Sequence, residues 1–147
     1  MNVLCPRLML LLLGWAPAAG AVPTCTVASG GVLAFGPVIA LASAPDVSTN
    51  TGTSFWVNCT AEVTTTPAIY SSTPRLMMSG GYSLPFALSA VSPGGLELRS
   101  SSPGTPLSIS KNGSNETVTL YGKILAHDFR ALPAGTYLQV ITLTVEY

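Results

Sequence analysis

An all-β sandwich is the fold class this sequence predicts, and three features predict it. Short runs of strict alternation between apolar and polar residues recur along the chain, rich in β-branched and aromatic side chains. Gly, Pro, Asn and Ser separate these runs at short spacing, and long amphipathic helical patterns are missing. Two cysteines, Cys25 and Cys59, fall in the first two long strand candidates, where one bond can join them.

The first stretch reads as a signal peptide spanning residues 1–21. Arg7 is its only charge, Leu8 to Leu13 form an apolar centre, and small residues follow from Ala16 to Ala21. The apolar run is too short to span a bilayer. The chain is therefore expected to be exported, with a single domain over residues 22–147. Loss of the leader removes Cys5 and leaves Cys25 and Cys59 in an oxidising compartment, where a disulfide between them is the expected outcome.

The strands follow in order. Cys25 to Phe35 predicts a first strand with a break at Gly30-Gly31, and Val38 to Gly52 reads as loop. Thr53 to Thr60 places Phe55, Val57 and Cys59 on one face, with Trp56 on the other and packed under a loop. Ala68–Tyr70 and Arg75–Met78 are short pieces, and Gly80-Gly81 turns the chain into Tyr82–Val91. Pro85 cannot donate to a ladder, so that strand should lie at an edge or carry a bulge. Brief strands are expected over Leu96–Arg99 and at Leu107 and Ile109, and Asn112-Gly113 is a turn signal. Glu116 to Ala126 alternates Val118, Leu120, Gly122 and Ile124 against polar neighbours. The total is about seven strands.

The last strand, Gly135 to Tyr147, carries the functional question. Tyr137, Ile141, Leu143, Val145 and Tyr147 share one side, and Thr142, Thr144 and Glu146 share the other. An apolar strand needs a neighbour on each edge, or it leaves a row of bare backbone donors and acceptors. No later strand is expected to supply the second neighbour.

Several chemistries find no support. Charged residues make up only 8% of the chain and the formal net charge is zero, so no basic surface for nucleic acid is expected. His127 and Asp128 adjoin, but on a strand they would face opposite ways, and no nucleophile-elbow pattern accompanies them. Asp46, Glu97 and Asp128 are scattered carboxylates without a paired partner. No catalytic residues, metal site, cofactor or small-molecule substrate are predicted. The Asn-x-Ser/Thr triplets at Asn58, Asn112 and Asn115 are of the kind that arise by chance in a Ser/Thr-rich chain. Met77-Met78 ahead of Gly80-Gly81-Tyr82 offers a candidate adhesive hairpin of Met77, Met78 and Tyr82.

An ordered set of short motifs resembles the spore coat protein U-like domain, shared with Csu-type subunits of archaic chaperone–usher pili. The set runs through Cys25-Thr26-Val27, Phe35-Gly36, Asn58-Cys59-Thr60 and Arg75-Leu76-Met77. It continues through Leu84–Leu88, Thr119-Leu120-Tyr121-Gly122-Lys123-Ile124 and the closing Ala134-Gly135-Thr136-Tyr137 to Tyr147. The resemblance implies an incomplete immunoglobulin-like β-sandwich whose missing last strand is supplied by a donor. The donor is first a periplasmic chaperone and then another pilus subunit, with an outer-membrane usher as the third partner. It implies an acceptor groove beside the final strand, lined by Tyr137, Ile141, Leu143, Val145 and Tyr147, and a route through the periplasm to the cell surface.

Two positions depart from the family pattern. An acidic residue usually follows the tyrosine of the final strand by two positions, and here Gln139 stands there. After cleavage behind Ala18 or Ala21 only a few residues are expected to precede Cys25; Ala21-Val22-Pro23-Thr24 is too short to donate and Pro23 interrupts it, which suits a tip or terminal subunit. The alternative expectation is a self-contained secreted immunoglobulin-like binding module.

Overall fold

The strand with the strongest alternation, Glu116–Ile124, is the hub of the principal sheet. In the computed structural model, which describes residues 21–28, 31–37, 45, 47–48 and 52–147, each of its residues has a cross-strand partner. In chain order the strands are β1 (Cys25–Val27), β2 (Val47–Ser48), β3 (Thr53–Cys59), β4 (Ala68–Tyr70) and β5 (Leu76–Ser79). They continue with β6 (Tyr82–Pro85), β7 (Ala87–Ser89), β8 (Thr105–Pro106), β9 (Glu116–Ile124) and β10 (Thr144–Glu146), and one helical turn, α1 (Ala126–Phe129), follows β9. The protein is an all-β sandwich, built from more and shorter strands than the sequence predicts. The predicted signal segment lies in residues 1–20, outside the described residues, save for Ala21.

The first sheet has the order β1-β3-β9-β2, and β7 also pairs with β9. Its pairs are antiparallel: Thr53 to Val57 of β3 oppose Leu120 to Glu116, and Ala87 to Ser89 oppose Lys123 to Tyr121. The second sheet has the order β10-β4-β8, and β5 and β6 form a separate hairpin. Apolar residues from all three fill one core, among them Val57, Leu120 and Ile124 from the first sheet, Ile69 from the second and Leu84 from the hairpin. Burial of this kind is the main force holding such a domain together.

At the amino end, Cys25 and Cys59 lie directly opposite in the β1–β3 register, with Cα atoms 4.1 Å apart, and a disulfide joins them. The first strand stops at Val27 and does not reach Phe35. Phe35 instead turns into the core, edge-to-face with Phe86 at a centroid distance of 6.2 Å. It closes over Gly122, where a Cβ would come within 2.5 Å of its ring. Gly122 therefore interrupts the apolar alternation of β9 because an aromatic ring from another segment occupies its side-chain space.

The predicted Tyr82–Val91 strand is two strands in different sheets. Pro85 ends β6 opposite Leu76, and the next N–H, that of Phe86, goes to the Arg75 carbonyl at 3.1 Å. The chain then crosses into the first sheet as β7. Gly80 and Gly81, with φ of 53° and 91°, form the β5–β6 turn in the left-handed geometry a tight hairpin needs.

Other expectations shift in smaller ways. The Leu96–Arg99 strand reduces to one bridge, Ser89 with Glu97, and two further backbone bonds, from the Leu98 N–H to the Leu88 carbonyl at 2.7 Å and from the Ser71 N–H to the Arg99 carbonyl at 3.1 Å. The Arg75 guanidinium holds this segment instead, bonding the Glu97 carboxylate and the carbonyls of Leu98 and Arg99. The strand expected at Leu107 and Ile109 lies just earlier, as β8. The loop expected between Val38 and Gly52 contains β2, paired with Ile124 and Lys123. Trp56 is not covered by a loop; it is 41% exposed on the outer face of β3, opposite Thr117. Beyond β9 the chain turns into α1 rather than staying extended to Ala126, which buries Ala126 and Phe129.

Candidate functional site

Residues 137–147 cross the seam between the second sheet and the hairpin. Only Thr144–Glu146 forms regular strand, antiparallel to Tyr70–Ala68 of β4. The single long strand expected from Gly135 onward is thus a correction. The intervening backbone is held by isolated bonds because its neighbours change along its length.

Those bonds all fall on one edge. Leu138 exchanges two backbone bonds with Met78 of β5, at 2.9 and 3.1 Å. Four residues on, the Thr142 N–H donates to Thr73 Oγ1 at 3.1 Å, and Ser71 Oγ donates to the Thr142 carbonyl at 2.8 Å. Successive residues of an extended chain aim their backbone groups at opposite edges. The even positions 138 and 142 therefore serve the edge toward β4 and β5. The odd positions 139, 141 and 143 aim at the other edge, where their backbone groups have no partner among the described residues. β10 ends its sheet, with β4 on one side and no strand on the other among the described residues.

The side chains follow the same parity only in part, since Gln139 is exposed and Thr144 and Glu146 are half-buried. Tyr137, Ile141, Leu143 and Val145 are half-buried and pack against the core. Leu138 and Val140, on the opposite parity, are 71% and 87% exposed. Four of the five predicted groove residues are thereby brought together. Tyr147 is the exception: it shares the parity but is about half exposed and packs outside the core cluster. The Tyr137 hydroxyl donates to the Pro133 carbonyl at 3.0 Å, tying the start of the segment to the turn before it.

The far end is tied by charge. The Glu146 carboxylate accepts the Gly104 N–H, and this bond, with a second from the Ser102 hydroxyl, holds its pKa below the usual carboxylate value. Sequence reading missed this clasp and also missed Ser71 and Thr73. Ser71 is fully buried, yet the Ser-Ser-Thr-Pro run around it looks like any loop, and no local signal marks its bond to a residue 71 positions away.

Burial divides the residues of the predicted adhesive hairpin. Met77 belongs to the core, whereas Met78 and Tyr82 are exposed. Alternation along β5 decides this, since neighbours on a strand face opposite ways. His127 and Asp128 are likewise not on opposite faces of a strand. They lie together on α1, with His127 Nε2 3.0 Å from Asp128 Oδ1, and no serine or cysteine bonds the imidazole among the described residues. Among those residues no group of three or more His, Cys, Asp or Glu could hold a metal ion, and no helix is long and apolar enough to cross a membrane.

A disulfide-tied β-sandwich whose most distinctive surface is one open backbone edge over a half-buried apolar row belongs to the class of structural and interaction domains. Residues 16–144 match the family model of the Spore Coat Protein U domain, and the chain belongs to that family. The family is one of fimbrial, pilus-type subunits rather than enzymes, so the protein is a structural subunit of an exported surface assembly, built with other subunits. No curated protein and no solved structure matches the chain.

Proposed function

We propose that this subunit is an incomplete immunoglobulin-like sandwich that receives a donated β-strand along the open edge of residues 137–145. The donor is a periplasmic chaperone during export and a neighbouring subunit after passage through an outer-membrane usher. The observation that carries this reading is the coincidence of two unmet needs on one segment. The backbone of Gln139, Ile141 and Leu143 lacks partners on the edge away from β4, and Ile141, Leu143 and Val145 are only partly covered on the core side. An added strand would meet both at once. Covering three such side chains stabilises by several kcal/mol at about 25 cal/mol per Å², comparable with the stability of a small domain.

The domain occupies residues 22–147 on this reading, after a signal segment cleaved near Ala21. It is a receiver rather than a donor, as in a tip or terminal subunit. Pro23 interrupts the residues ahead of Cys25, and Thr24 is bonded through both its N–H and its carbonyl to its own Thr60.

Co-expression with a cognate periplasmic chaperone, followed by pull-down and thermal melting, tests the proposal. The chain alone should be aggregation-prone through its open edge, and the chaperone or an alternating apolar peptide should rescue it. A charge at Leu143 should abolish the rescue, while a charge at Thr144 should matter less. A chain that stays monomeric, melts cooperatively and ignores every donor strand would be a self-contained binding module instead.

A further inference from the structure

Gln139 interrupts an otherwise apolar row. On the parity that faces the core, the sequence reads Tyr137, Gln139, Ile141, Leu143, Val145, and only Gln139 carries a hydrogen-bonding amide. Its neighbours on that row are half-buried, but Gln139 is exposed, and its one side-chain bond runs from Nε2 to the adjacent Val140 carbonyl at 3.1 Å. No other segment bonds this side chain among the described residues, which leaves its amide open to a partner.

We propose that Gln139 sets the register of the strand that fills the groove, by requiring a hydrogen-bonding side chain at the position facing it. This rests on the strand-acceptor reading above. The physical need comes from the period of a strand. A slip by one residue turns the donor's apolar face outward and is rejected by the apolar row itself. A slip by two residues returns the apolar face to the groove, and a row of Ile, Leu and Val alone distinguishes it poorly. A buried amide changes this. Once a strand covers it, Gln139 loses water and must find a partner, or it bears the desolvation cost of an unmet polar group. One polar pair in an apolar seam is an attested way to fix register, at some cost in stability, as a single buried asparagine does between paired helices.

The test uses an alternating valine–threonine peptide long enough to lie along residues 137–145, with asparagine moved in turn through its inward positions. Binding to the mature chain and to Gln139→Leu is measured by titration calorimetry, with thermal melting to confirm that both are folded. For the unsubstituted chain, asparagine at one inward position should tighten binding about tenfold over the all-valine peptide, the ratio for a difference of one hydrogen-bonding group. Asparagine at the other inward positions should weaken it. For Gln139→Leu the order should reverse, with the all-valine peptide binding best. If the all-valine peptide binds both forms best, the register role is overturned while the acceptor reading stands. If no peptide binds either form, the acceptor reading falls and the register role with it.

Discussion

β9 and the segment 137–147 carry nearly the same signature, an alternation of β-branched and aromatic residues, and the fold treats them in opposite ways. Each residue of β9 from Glu116 to Ile124 is paired by β3, β7 or β2, and Val118, Leu120 and Ile124 are buried. The last segment is paired along one edge, by β4, Ser71, Thr73 and Met78, and its Ile141, Leu143 and Val145 are only half-buried. The chain thus completes one of its two best strands from its own sequence and leaves one edge of the other without a strand among the described residues. An alternating strand is a demand for two neighbours, and where they come from is a separate matter.

A charge placed on each strand separates them most sharply. Leu120→Asp buries an unpaired carboxylate in the core, a cost of roughly 5 kcal/mol or more, and should leave no folded protein by circular dichroism. Leu143→Asp meets solvent on one side, so the free domain should lose only about 1 kcal/mol in urea melts yet fail to capture a strand. Equal losses in the two variants would mean that the last segment is as fully covered as β9.

Removing the disulfide sharpens the difference from the other side. Cys25→Ala with Cys59→Ala opens a loop with a sequence separation of 34, worth about 4 kcal/mol in the chain-entropy model. Hydrogen exchange should accelerate in β1 and β3 and stay unchanged in residues 137–147. Faster exchange confined to the last segment would contradict the idea that the two regions are secured independently.

A smaller effect is expected where Phe35 fills the gap in β9. Gly122→Ala forces a methyl group against the ring and should cost about 1–3 kcal/mol, part of which a Phe35→Leu background recovers. If the two substitutions simply add in thermal melts, the close approach is not what excludes a side chain at Gly122.

The smallest effect is the clasp at Glu146. Its folded pKa is depressed by the Gly104 N–H and the Ser102 hydroxyl, so its contribution is present above the ordinary glutamate pKa and is lost as pH falls through the folded value. Stability measured across mildly acidic pH should therefore decline less in Glu146→Gln than in the parent. Parallel curves would show that the carboxylate does not secure β10.

Much of this was legible from residues alone. The inward sets of β3 and β9, the glycine turn between β5 and β6 and the cysteine pair could be read because each follows from a local rule: alternation, positive φ or count and compartment. Other elements were not. The split at Phe86 depends on the carbonyl of Arg75, and the shortness of β10 depends on Ser71 and Thr73, partners that no local pattern announces.

The sequence by itself determined which side of each strand is apolar, because side-chain direction follows from the two-residue repeat of an extended chain. Met77 and Met78 part ways on that rule alone. Only the tertiary structure decided which edge of each strand is occupied, because pairing joins backbones far apart in sequence and every residue carries the same donor and acceptor. The face of the last segment was written in its residues, and its open edge emerged only when β4 and β5 took the other one.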